Sequence, residues 1–334
     1  MKARIVLFTF IFISNFILPQ NFNGNLSDIS LISNQYLTKN QSSNGNWAEN
    51  TDLSFKLNVC VESNIMPSEL GFYLGQDSFE FYSLQILARL DVKYDNGDWI
   101  TLVETNITTG QFIPNWSTLG LHTMAIKYWY VDGVTHYLSY KVYVVPPRNK
   151  IYYDGTGNWV SCWTGTTSEL DRPVIMVEGF DPVNTTFPSY YYGKAMNFLN
   201  KIRSLDADVI IFNFADGGID LADNAEIIKG FTRYIETIQQ GSQKVILTGL
   251  SMGGVIARYA LASAEAENLP LNVSHFISID SPQHGALLPR DFQDYTNDHD
   301  DDIPNPSLNT IAAKQMLIYN TYDPNRTPSV LPHK

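Results

Sequence analysis

Two hydrophobic rhythms divide the chain. From about residue 52 to 145 apolar and polar positions alternate: "ARLDVKY" faces "DWITLVE" across Asp95, Asn96 and Gly97, and "AIKYWYV" faces "THYLSYKVYVV" across Asp132 and Gly133. A period of two puts one set of side chains on each face of a strand. Asn-Gly and Asp-Gly between such runs mark hairpins, because both central residues of a type I′ turn need positive φ. The expectation is a small antiparallel β-domain of sandwich type over 51–147. Its aromatic group Tyr128, Trp129, Tyr130, Tyr137 and Tyr140 has two readings. It packs within the sandwich, or it offers a face to carbohydrate or another surface partner.

Pro146 and Pro147 end the alternation, since proline cannot continue a central strand. Beyond them the apolar runs are short and continuous: "RPVIMVEGF" (172–180), "ADVIIFNF" (207–214), "KVILTGL" (244–250) and "VSHFISID" (273–280). Such runs mark strands buried on both faces. The stretches between them, "GKAMNFLNKIRSL", "LADNAEIIKGFTRYIETIQ" and "GVIARYALASAEAE", read as helices. Strand and helix in alternation imply an α/β domain over 151–334, with a mostly parallel sheet and flanking helices.

The N-terminus adds a destination. Lys2 and Arg4 precede an apolar run at 5–18 that Pro19 stops, too short to cross a bilayer and patterned as an export signal over 1–20. Residues 21–50, rich in Asn, Ser and Gly, read as a flexible segment. The expected location is therefore secreted, periplasmic or at the cell surface. Composition removes one class of partner: with 34 acidic and 22 basic residues the net charge is -12, and no Lys/Arg run in the sequence suits nucleic acid. Cys60 and Cys162 lie too far apart to define a disulfide framework or a metal site. Asp298, Asp300 and Asp302 alternate as calcium ligands do, yet Ile303 and Asn309 stand where an EF-hand needs Gly and Glu, so a solvated loop is the simpler reading. No metal or other cofactor is expected.

The candidate chemistry lies in "QKVILTGLSMGGVIARYALASAEAE" (243–267), where a β-branched run turns directly into a helix-forming one. Gly249-Leu250-Ser251-Met252-Gly253 is a G-x-S-x-G corner. The turn is so sharp that side chains beside the serine would collide with strand and helix, and glycines flank it for that reason. The serine hydroxyl then stands at the C-terminal edge of the sheet, facing the positive end of the helix.

These residues resemble the nucleophile elbow of the α/β-hydrolase superfamily, in its lipase and esterase branch. "VIMVEGFDP" (174–182) is similar to the strand that delivers the oxyanion loop, and "FISIDSPQHGA" (276–286) to the strand ending in S-P-x-x-G. The resemblance runs from 172 to 287 and departs from the family at Glu178-Gly179, where His-Gly is usual. It implies an α/β-hydrolase-like fold and acyl transfer to Ser251 from an ester or lipid substrate, with the N–H groups of Met252 and Phe180 as oxyanion donors. The family order is Ser, then acid, then His. Asp280 ends the last apolar run and is either the acid or a strand cap. His275 reads as core, His284 lies close behind Asp280, His299 sits among acids and His333 near the end, so the catalytic histidine is unassigned. The expectation is that the sequence stops short of the last strands of such a domain. Two alternatives share these residues: a binding or adhesion protein on the same scaffold, and a thioesterase or peptidase. The segments 187–198 and 308–320 read as core or as lids over an acyl pocket, and Asp220 or Asp223 as a helix cap.

Overall fold

The computed structural model describes strands at 29–30, 48–49 and 56–58, and residues 69–319 with short breaks at 77, 105, 134, 155–157, 183, 185 and 299–306. The expected export signal, Cys60, Asp300, Asp302, His299 and His333 lie outside the described residues. In chain order the strands of the first unit are β1 (Ile29–Ser30), β3 (Lys56–Asn58), β4 (Glu69–Tyr73), β5 (Ser78–Tyr94), β6 (Ile100–Val103), β7 (Ile107–Phe112), β8 (Gly120–Tyr130) and β9 (Thr135–Val145). Those of the second are β2 (Ala48–Glu49), β10 (Lys150–Tyr153), β11 (Trp159–Trp163), β12 (Pro173–Val177), β13 (Asp208–Asn213), β14 (Val245–Leu250) and β15 (Val273–Ile279). The helices are α1 (Pro188–Lys194), α2 (Met196–Ser204), α3 (Leu221–Ile238), α4 (Met252–Ala266), α5 (Arg290–Asp298) and α6 (Ile311–Met316).

The first compact unit takes in residues 52–147, the strand β1 and residues 189–196. Its sheet runs β1-β5-β8-β9-β4, and β5 also pairs β3, β6 and β7. The central pairings are antiparallel, as expected, but β3 on β5 and β4 on β9 are parallel. The alternation is real in three dimensions. Leu90, Val92, Met124, Ile126, Tyr128, Tyr130, Tyr140, Val142 and Val144 turn inward to one buried cluster, so three of the five aromatics in the group with two readings belong to the core. The hairpin turns depart from the type I′ expectation. At 94–97 only Asp95 has positive φ (50), and its carboxylate reaches across to the Thr123 N–H (2.8 Å) and to His122. At 130–133 neither Val131 nor Asp132 has positive φ; Gly133 follows them at φ 82 as the left-handed residue of a bulged turn. Residues 189–196, read from sequence as core or lid, pack within this unit, where a Cβ at Gly193 would lie 2.2 Å from the Tyr143 side chain.

The second unit takes in residues 148–188, those from 197 onward, and β2. Two short pieces of the expected flexible segment 21–50 are thus strands, one in each sheet. The sheet order is β15-β14-β12-β13-β11-β10-β2. β13, β12, β14 and β15 are parallel, while β13-β11, β11-β10 and β10-β2 are antiparallel, so the sheet is mixed rather than mostly parallel. β12 lies between the two strands that follow it, β13 on one side and β14 on the other, so the direction of winding reverses there and the ends of these strands form a topological switch point. Neither β10 nor β11 was legible as a strand, because "NKIYYDGTGNWVSCW" has no helix after it to mark a crossover.

The helices follow from their patterns. The α3 helix begins at Asp220, whose carboxylate accepts from the Ala222 N–H (2.8 Å), one of the two expected caps. It buries Leu221, Ala225, Ile228, Phe231 and Ile235 at helical spacing. The α4 helix buries Gly253, Gly254, Ala257, Ala260 and Ala264, a small-residue face that lets its backbone come close to its neighbours. Lys229 of α3 is almost wholly buried and donates to Glu226 (2.9 Å) and to Glu267 (2.6 Å) just past α4, tying the two helices. In the segment 308–319 Ala312 and Ala313 of α6 are buried and Gln315 bonds both Leu221 N–H and Asp220, while Ile311, Ile318 and Tyr319 are exposed.

β15 overturns one expectation. Its apolar run promised burial on both faces, yet Ile277 and Ile279 are 48% and 37% exposed, and His275, expected in the core, is exposed and hydrogen-bonded to Ser274 (3.1 Å). Among the described residues the strand ends the sheet. Phe276 packs into the core cluster and α4 touches the strand, while the face carrying Ile277 and Ile279 lacks a covering element among the described residues.

Candidate active site

Ser251 occupies the junction of β14 and α4 with φ 52 and ψ -121. A non-glycine residue there is strained by about 1–3 kcal/mol, and such strain persists only where surroundings over-determine it. The neighbours do so by close contact. A Cβ at Gly249 would lie 2.3 Å from the backbone of Gly253 and Gly254; one at Gly253, 2.2 Å from the Glu178 carbonyl and 2.5 Å from that of Val177. Gly254 has no room either, since a Cβ would meet the Ser281 Oγ at 2.0 Å. Strand β14, helix α4 and the end of β12 are therefore jammed together around the serine. Its own N–H continues the sheet, donating to the Ile279 carbonyl at 2.9 Å.

The side chain is partly exposed and does not cap α4. Gly179 lies against it, a Cβ there falling 3.4 Å from the Ser251 Cβ. The Met252 N–H opens the helix, and helix-opening amides have no intrahelical acceptor. Among the described residues neither it nor the Phe180 N–H donates to protein. The corner thus offers a partly exposed serine with a glycine packed on it, and amides on Met252 and Phe180 that donate to no described residue.

Behind the 179–180 turn stands a carboxyl the sequence reading noted only as a departure. Glu178 is 1% exposed. Its oxygens accept from the Asn213 side-chain amide (2.7 Å) and from the Phe214 N–H, which clasps the end of β12 to the end of β13. Burial first, and the nearby Asp181 second, push its carboxyl well above the usual glutamate value, against the pull of those two donors. Asp181, wholly buried, accepts from the Thr186 N–H (2.6 Å) and so braces the rest of the loop. The signal existed in the sequence: parallel register sets Val177 opposite Phe212, so Glu178 and Asn213 end neighbouring strands side by side. It became legible only once the strand order was known.

Asp280 follows β15 with φ 46 and is exposed; its carboxylate makes no hydrogen bond among the described residues. No histidine hydrogen-bonds Ser251 among them either. The structure therefore brings together Ser251, Met252 and the 178–180 turn, and leaves Asp280 apart from any imidazole bond. No group of three or more potential metal ligands occurs among the described residues.

Residues 205–309 match the family model of the PGAP1-like alpha/beta domain. That stretch runs from the approach to β13 past β15 and holds Ser251 near its centre. No curated protein sequence matches the chain. Among solved structures, the α/β serine hydrolase XC6422 of Xanthomonas campestris, described as lacking a lid, aligns at 20% identity and TM-score 0.28 over 38% of this chain and 56% of its own. Est1E from Butyrivibrio proteoclasticus aligns at 15% identity and TM-score 0.28 over 35% and 45%. Candida antarctica lipase A aligns at 11% identity and TM-score 0.30 over 49% and 38%. In all three the alignment spans less than two thirds of the compared structure. The fold of the second unit is α/β-hydrolase-like.

Proposed function

We propose that this protein is an exported serine hydrolase that cleaves carboxylic esters through an acyl-enzyme on Ser251. The observation that carries the reading is the positive φ of Ser251 itself, held partly exposed between β14 and α4 by glycines that admit no Cβ. In the reaction the Ser251 Oγ attacks the ester carbonyl, its proton passes to a base, and the carbonyl oxygen gains a negative charge. The Met252 and Phe180 N–H groups are the donors for that oxyanion; losing one such donor typically costs about 3 kcal/mol of transition-state stabilisation. The alcohol leaves with a proton, and water then attacks the acyl-serine to release the acid and restore the hydroxyl. Asp280 is the candidate acid; the histidine is unassigned.

A second reading, a non-catalytic binding protein on this scaffold, is favoured by one observation: no imidazole bonds Ser251 among the described residues. Purified chain is treated with a fluorophosphonate probe and with a short-chain p-nitrophenyl ester. Labelling and turnover that vanish in Ser251→Ala support the hydrolase. A folded chain that neither labels nor turns over ester, or labels equally without Ser251, supports the scaffold reading. Export is checked separately, by fractionating cells expressing the chain with and without residues 1–20.

A further inference from the structure

The first unit has an outer sheet face that the core does not use. Strand register puts Arg89, Asp91 and Lys93 of β5 beside Trp129, Lys127 and Ala125 of β8, and those beside Thr135, Tyr137 and Ser139 of β9. Trp99, just before β6, joins them. The side chains interleave: the Lys127 Nζ lies 4.7 Å from the Trp129 ring centre, 5.6 Å from Tyr137 and 5.9 Å from Trp99, and the Arg89 guanidinium lies 5.2 Å from Trp129. Arg89 is neutralised by the buried Asp91 (2.7 Å) and also bonds Thr101. Lys93 and Lys127 have no carboxylate partner among the described residues. Lys141 lies on the same face, opposite Thr123.

Two features call for a ligand rather than for stability alone. Tyr137 is 58% and Trp99 40% exposed, so large rings stand in water although Met124, Ile126, Tyr128 and Tyr130 on the other face of the same sheet are buried. The cations also gather here in a protein whose net charge is -12, where scattered surface charge would favour acids. A sheet face that sets exposed rings beside ammonium groups matches a polymer that carries carboxylates on pyranose rings with apolar C–H faces. We propose that this β5-β8-β9 face binds an acidic, uronate-bearing polysaccharide, with Trp99, Trp129 and Tyr137 stacking on sugar rings and Lys127 and Lys93 pairing with carboxylates. The site is independent of the reading of Ser251.

The test is affinity electrophoresis of the full 334-residue chain in gels containing polygalacturonate, with dextran, a thirty-residue oligo-dT and phosphatidylglycerol vesicles assayed in parallel. Polygalacturonate retards the protein, less so as salt rises, and Lys127→Gln and Tyr137→Ala each weaken retardation about tenfold while keeping the wild-type circular dichroism. Lys244→Gln, which neutralises an exposed lysine of the other unit, leaves it unchanged. No retardation by polygalacturonate overturns the proposal. So does equal retardation by dextran, stronger binding to oligo-dT or vesicles, or folded Lys127→Gln and Tyr137→Ala variants that bind as wild type.

Discussion

β14 and β15 are neighbours in one sheet, both read from sequence as strands buried on two faces, and they have opposite surroundings. Val245 and Leu247 of β14 are fully buried, β12 pairs it on one side and β15 on the other, and α4 leaves its end at once. Among the described residues β15 has a paired edge on one side only, and Ile277 and Ile279 are exposed. The apolar run reports what a strand is able to bury; neighbouring elements decide what it does bury. The candidate site lies at the crowded end of that contrast, where a carbonyl of β12 and the first turn of α4 leave no room for a methyl group.

The largest effect is expected where crowding is greatest. Gly253→Ala places a Cβ within van der Waals overlap of two main-chain carbonyls of the β12 end, atoms that cannot rotate aside. Either the strand end moves or the helix does, and both carry Ser251. A loss of about 4 kcal/mol or more of stability is expected, in the range reserved for severe overpacking, with loss of fluorophosphonate labelling. Urea denaturation and labelling of the same sample measure both; a variant that unfolds like wild type would show that the corner is looser than the close contacts imply.

Next comes the strand itself. Leu247→Ala removes a fully buried side chain from the middle of β14 and leaves a cavity in the main cluster. A cost of about 3 kcal/mol is expected by denaturant unfolding, since truncation of buried leucine typically costs 2–5 kcal/mol.

Glu178 sharpens the comparison by adding pH. Its carboxyl is raised in the folded state, so the unfolded chain gives up this proton first as pH rises above the ordinary glutamate value of about 4.3. In the window between that value and the folded one, folding takes up a proton, and stability falls with rising pH by at most about 1.4 kcal/mol per unit for one group. Below the window the stabilisation is fully present; above it none remains. Glu178→Gln cannot titrate and keeps an acceptor for the Phe214 N–H, so its stability should lack that downward slope. Urea unfolding of both proteins from pH 5 to 8 decides the matter: parallel curves would mean that Glu178 stays ionised in the fold.

Local chemistry was legible where one stretch carries the whole constraint. The G-x-S-x-G corner, the α3 and α4 helices and the four parallel strands are each specified by a contiguous pattern. What escaped depends on partners distant in sequence. Glu178 needs Asn213, thirty-five residues on, before its burial makes sense. Three tyrosines of the aromatic group turned inward and two of its members outward because strand register, not composition, assigns faces. The hairpin turns kept their positions but not their expected dihedrals, since Asp95 finds its compensation on β8. His275 went to the surface for the same reason as Ile277.

The smallest effect belongs to β15. Ile277 is about half exposed, so truncating it to alanine returns to water only part of the 1.5–3 kcal/mol that full burial of such a side chain is worth. A side chain so exposed leaves no enclosed cavity when it is truncated. Ile277→Ala should therefore shift unfolding by about 1 kcal/mol or less, against about three times that for Leu247→Ala one strand away. A cost as large as that of Leu247→Ala would mean that the outward face of β15 is covered in solution, and a midpoint that rises with protein concentration would identify the cover as a second copy of the chain. An unpaired apolar edge strand invites such pairing, so the measurement is made at two concentrations tenfold apart, with Ile277→Lys as the variant that keeps the strand and repels the copy.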